Sequence, residues 1–131
     1  MRVYDLQGTI AQLNLSGQSI LDIVSQIPRG KVLYSPIGSF AILSAQSPVG
    51  LIRDAVRQFI GNKFPDCDDV RFVSGSTQQL INAKVQQLRN LQATEYTDND
   101  IDLLTEYKAR LPEVKFYFID NNQRIELGRV A

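Results

Sequence analysis

Histidine is absent from these 131 residues and cysteine occurs once, as Cys67. Without an imidazole the chain cannot build a Ser-His-Asp or Cys-His hydrolase centre or histidine-dependent ribonuclease chemistry, and one thiol cannot make a zinc site of the Cys/His kind. A single thiol also excludes an intrachain disulfide, which fits a reducing compartment, so the cytoplasm is the expected location. Prolines number only five, and apolar residues at 44% with charged residues at 21% fit an ordinary folded domain rather than a disordered or fibrous chain. No stretch reaches the ~18 to 20 apolar residues of a membrane span. The opening Met1-Arg2-Val3-Tyr4-Asp5 lacks the apolar segment of a signal peptide. A soluble chain without a membrane partner is expected.

Neither sign of charge is in excess: fourteen Lys/Arg balance fourteen Asp/Glu. A general attraction to nucleic acid or anionic lipid is therefore missing. The distribution is uneven, with nine basic against six acidic residues over 1–93 and five against eight over 94–131. At 14.7 kDa the chain has the size of one domain with one core, here taken as residues 1–131.

What is present is hydrophobic patterning. Alternation through Ala11, Leu13 and Leu15 predicts a half-buried strand, joined through Gln7-Gly8 to Val3–Leu6 as a short hairpin. Ile20, Ile23, Val24 and Ile27 follow Ser19 at helical spacing, and Pro28-Arg29-Gly30 stops that helix. The runs 31–35 and 39–44, separated by Pro36-Ile37-Gly38, read as a central hairpin. Ser47-Pro48 is a helix start, followed by the stripe Val49, Ile52, Val56, Phe59 and Ile60. Val70–Val73 reads as a strand, and Ser74-Gly75-Ser76-Thr77 leads into a helix with stripe Leu80, Ile81, Val85 and Leu88. A further helix is predicted from Thr97, through Ile101, Leu104, Tyr107 and Leu111, to Pro112. The clearest hairpin joins 114–119 to 124–130 through Asp120-Asn121-Asn122-Gln123, since asparagine tolerates positive φ. The expected class is α+β, a mainly antiparallel sheet built from hairpins and packed with three to four helices.

Five constellations are candidates for chemistry. The turn Ser74, Gly75, Ser76 and Thr77 at a helix start exposes amides and hydroxyls that suit an anion, although it lacks the lysine and glycine spacing of a nucleotide loop. Asp66, Asp68 and Asp69 surround Cys67 but match no calcium loop, so no metal is expected, and three neighbouring carboxylates make Cys67 an unreactive thiol. Lys115, Arg124 and Glu126 fall together on the last hairpin and could stabilise charge and move a proton on a phosphodiester. The same residues also read as a cross-strand ion pair on a wet sheet face. Arg53, Arg57, Lys63, Arg71, Lys84 and Arg89 are the candidates for contacts to nucleic acid, with Arg53 and Arg57 one helical turn apart.

With proton-transfer groups scarce, the expected function is a non-catalytic protein-interaction or regulatory module, with a protein partner or a second copy as its target and no cofactor. Apolar residues on both faces of the strand 114–119 support this, because a sheet with one wet face needs only one apolar side. The alternative is a small histidine-free nuclease or toxin-like enzyme using Arg/Lys and carboxylates. A third reading is a small-ligand binder using the Ser74–Thr77 turn.

Overall fold

The computed structural model describes residues 1–128. In chain order they form β1 (Arg2–Tyr4), β2 (Ala11–Gln12), α1 (Ile20–Gln26) with a 3-10 turn at Ile27–Arg29, β3 (Lys31–Val32), β4 (Phe40–Ala45) and α2 (Gly50–Lys63). There follow β5 (Cys67–Val73), α3 (Thr77–Asn90), β6 (Glu95–Asp98), α4 (Ile101–Arg110), β7 (Lys115–Asp120) and β8 (Gln123–Glu126). Six strands make one sheet in the order β5-β4-β1-β6-β7-β8, and β2 with β3 makes a small antiparallel pair beside it.

The large sheet is mainly parallel, which corrects the antiparallel hairpin sheet expected from the sequence. Only β7 and β8 run antiparallel. The physical reason lies in β4, where Phe40, Ala41, Ile42, Leu43 and Ser44 are all buried. A strand that is apolar on both faces belongs inside a sheet covered on both sides, and parallel neighbours reach it through helical crossovers. Phe40 and Ile42 pack in one cluster with Ile52, Val56 and Phe59 of α2, whereas Ala41 and Leu43 pack in another with Val85 and Leu88 of α3 and Tyr107 of α4. The anticipated central hairpin does not form. Lys31–Val32 turns instead to pair with Ala11–Gln12, and residues 33–39 carry the chain to the start of β4.

The hairpin expected between Val3–Leu6 and the strand through Ala11 is also absent, since β1 pairs with β4 and β6 and β2 with β3, and several element boundaries differ. The helix expected from Thr97 begins at Ile101, capped by Asp100, whose side chain accepts from the amides of Asp102 and Leu103 at 3.1 Å. Thr97 and Asp98 belong to β6, a strand hidden by its polar composition. Ser47-Pro48 precedes α2, which starts at Gly50 without a side-chain cap. The last hairpin forms as patterned, with Asn121 and Asn122 at φ 48° and 63°, the backbone a two-residue turn of this hand requires. The expected return strand runs to Val130; β8 ends at Glu126, and Arg129 and Val130 lie outside the described residues. No helix is long and apolar enough to cross a membrane among the described residues.

Candidate functional site

β1 is the strand at which the sheet's order reverses: the chain leaves it toward β4 on one side and returns as β6 on the other. In parallel sheets the crevice beyond the carboxyl ends of such strands is where ligands bind. Asp5 directly follows β1, and Asp98 is the last residue of β6. The pairing of Tyr4 with Thr97 and the bond from the Asp5 amide to the Thr97 carbonyl (2.9 Å) bring the two ends together.

Into this junction α3 sends Lys84. Its ammonium donates to Asp5 Oδ1 at 3.1 Å and to the Tyr96 hydroxyl at 2.9 Å, and lies 3.6 Å from Asp98 Oδ2. Tyr96 in turn donates to Asp98 Oδ2 at 2.8 Å. The other oxygen of Asp98 accepts from the amides of Asn99 (2.7 Å) and Asp100 (3.2 Å), and the Thr9 hydroxyl lies 3.1 Å from Asp5 Oδ2 and 3.3 Å from Asn99 Oδ1. The ion trio is interior: Lys84 is 5% exposed, Asp5 8% and Asp98 2%. Among the described residues no buried side-chain polar atom lacks a partner.

Burial works against the charge on Lys84, but Asp5 and Asp98 outweigh it and hold the ammonium's pKa above its ordinary value. Burial, reinforced by the charge of Asp5, raises the Asp98 carboxyl to about 6 despite Lys84 and the hydrogen bonds it accepts. Burial likewise pushes Tyr107, packed against Tyr96, to about 12 and keeps Tyr96 protonated as a donor. The trio thus contains a fixed cation and one carboxyl poised to accept a proton. Next to it a pocket of about 290 Å³ opens between Gly8, Thr9, Leu33, Asn99 and the turn at Asn121 and Asn122. Thr9 and Asn99 are the residues of that pocket that also touch the trio.

The other sequence candidates are dispersed. Arg124 lies 3.6 Å over the Tyr117 ring and donates to Thr97 Oγ1 (2.9 Å) and Glu95 Oε1 (2.7 Å), so its guanidinium is taken up in closing one face of β6 and β7. Lys115 and Glu126 line a groove of about 670 Å³ with Lys108 and Glu113, by the amino end of β7 and away from Asp5. The Ser74–Thr77 turn follows β5, at the opposite edge of the sheet from β8. Its Ser76 amide donates to Gln79 Oε1 at 2.8 Å, and Ser76 in turn accepts from the Gln79 amide, a reciprocal cap that occupies two of the groups an anion would use.

Of the basic residues, Arg53 and Arg57 lie 5.7 and 4.7 Å over Phe72, and Lys63 is exposed at the end of the same helix. Arg71 points to the other face of the sheet, where it bonds Asp69 and Gln87 of α3, and Arg89 is exposed on α3. Lys84 is interior and offers no contact to a polymer. Asp68 accepts from Ser39 and Asp69 from Arg71; no cluster of three metal-ligating side chains occurs among the described residues. Burial first, then the charges of Asp68 and Asp69, push the Cys67 thiol up to about 11.

Sequence reasoning took Lys84 for a surface cation and passed over Asp98. The signal was present: Lys84 stands within the buried stripe Ile81, Val85 and Leu88, where a lysine demands a partner, and each carboxylate closes a short apolar or aromatic run, Val3-Tyr4-Asp5 and Tyr96-Thr97-Asp98. Compared with known proteins, the chain matches no family model, no curated protein and no solved structure.

Proposed function

We propose that the chain is a non-catalytic protein-interaction or regulatory module. The observation that supports this reading is the Lys84 ammonium seated between Asp5 and Asp98 at the sheet's switch point. At that place an enzyme needs acids and bases that face a substrate. Here the two carboxylates face an internal cation, Tyr96 closes the fourth side, and an ammonium with a raised pKa is a poor base. The working parts of such a chain are its contact surfaces. The test is turnover of bis(4-nitrophenyl) phosphate and of single-stranded RNA with Mg²⁺ or Mn²⁺. No turnover above buffer is expected; turnover abolished by Asp5→Asn overturns the reading.

A second reading, a small phosphodiester hydrolase, is favoured by one observation, the carboxyl-end position of Asp5 and Asp98 beside the pocket bounded by Thr9 and Asn99. It requires Lys84 to leave its carboxylates when substrate binds. The same assay separates the two.

A further inference from the structure

We propose that two copies of the chain pair antiparallel along β5, about a two-fold axis at Val70. This deepens the interaction-module reading by naming a partner, and it rests on that reading. β5 stands at the end of the sheet and at seven residues is its longest strand, with a bulge at Asp68 and a regular run over Asp69–Val73. Edge strands are normally short or covered, because a free ladder invites another strand. Among the described residues nothing pairs with the outer side of β5. The Gln46 amide donates to the Val73 carbonyl at 2.9 Å, so the backbone groups of Val73, and by alternation those of Arg71 and Asp69, point toward β4. Those of Val70 and Phe72 point outward.

Charge then selects the register. Antiparallel pairing can oppose outward residues in only a few ways. A slip toward the start of the strand sets Asp69 against the partner's Asp69, and a slip toward its end sets Arg71 against the partner's Arg71. Like charges directly opposite are destabilising. With Val70 opposite the partner's Val70, the two exchange backbone hydrogen bonds, and Asp69 faces the partner's Arg71 twice over. The matched segment is Asp69–Arg71, because Asp68 bulges out of the ladder opposite the Phe40–Ala41 step and its carboxylate accepts from Ser39. Within one copy Asp69 and Arg71 already pair at 2.9 Å, but their side chains are 36% and 40% exposed, so the bond is weak and free to exchange across the axis. The order acid, apolar, base over Asp69, Val70 and Arg71 is thus complementary to its own reverse.

The experiment is the mass of the full chain by sedimentation or light scattering over a concentration series. Wild type is expected at twice 14.7 kDa. Arg71→Asp, a change at a partly exposed side chain, is expected to raise the dimer Kd at least about tenfold by opposing carboxylates at both pairs. Asp69→Arg/Arg71→Asp restores opposite charges and is expected to restore the dimer. Amide exchange at Val70 and Phe72 is expected to slow as concentration rises. A wild type that stays at monomer mass, a dimer indifferent to Arg71→Asp, or a folded double variant that remains monomeric each overturns the pairing. A monomer without turnover removes the pairing alone; turnover by a dimer removes the module reading alone.

Discussion

Nζ of Lys84 lies 3.1 Å from Oδ1 of Asp5, although 79 positions separate them in sequence. Removing the cation leaves Asp5 and Asp98 buried and facing each other. Lys84→Met is therefore expected to destabilise the fold by about 3–5 kcal/mol, the usual cost of breaking a buried pair from one side. Lys84→Met/Asp98→Asn is expected to recover part of that loss. Urea denaturation of both variants measures the coupling, and strictly additive losses would contradict it.

The same substitution separates a filled cation position from an empty one. Millimolar Mg²⁺ or Ca²⁺ is expected to leave the melting temperature of wild type unchanged, because an ammonium already sits between the carboxylates. In Lys84→Met the two carboxylates, with Thr9 and Asn99 nearby, are expected to gain measurable stabilisation from either ion.

Stability should carry the mark of Asp98. Its carboxyl is raised to about 6 from 3.8, so the native state holds that proton more tightly than the unfolded chain. Its stabilising contribution is full below about pH 4 and is lost as pH rises through 6. Lys84, raised above its ordinary value, contributes fully across this window and loses its contribution only in strong alkali. Relative to Asp98→Asn, wild type is expected to lose roughly 2–3 kcal/mol between pH 4 and 7.5, since each tenfold change in proton affinity is worth about 1.4 kcal/mol. Urea midpoints of the two proteins across that range check it; parallel curves would exclude the shift.

Arg124 joins Thr97, Glu95 and the Tyr117 ring on the face of the sheet away from α3 and α4. Arg124→Ala is expected to cost about 1–2 kcal/mol by stranding Glu95 and uncovering Tyr117. Arg124→Lys is expected to restore little, since an ammonium cannot bond two oxygens while lying flat on a ring. Thermal and urea unfolding of both variants provide the measurement.

At the start of α3, Gly75 adopts φ 128°, and a Cβ there would lie 2.6 Å from Gln79 Oε1. Gly75→Ala is expected to cost about 1–3 kcal/mol through strain and a displaced cap. Ser76→Ala should cost about 1 kcal/mol. Because the cap is already made, millimolar phosphate is expected to leave the amide shifts of residues 75–78 unmoved; movement there would revive the anion site.

The helices were legible because their apolar stripes repeat at a helical period: Ile52, Val56, Phe59 and Ile60 are buried on α2, as are Ile81, Val85 and Leu88 on α3. The last hairpin was legible because two asparagines announced its turn. Strand direction was not, since pairing between β1 and β6 joins residues more than ninety positions apart and no local pattern encodes it. β6 itself was obscured by Glu95, Thr97 and Asp98, polar residues whose partners, Arg124 and Lys84, become visible only after folding. For the same reason Lys84 read as surface. A buried charge is recognised by what surrounds it, and the sequence around Lys84 names none of its partners; its one local sign is that Lys84 interrupts the apolar stripe of α3.

β1 has only three residues, yet it is the seam to which β4 and β6 are both sewn. Assembly must close a long loop before that seam rewards it, so refolding should be slow and all-or-none, and a nick that frees residues 1–5 should undo the whole molecule rather than fray one end.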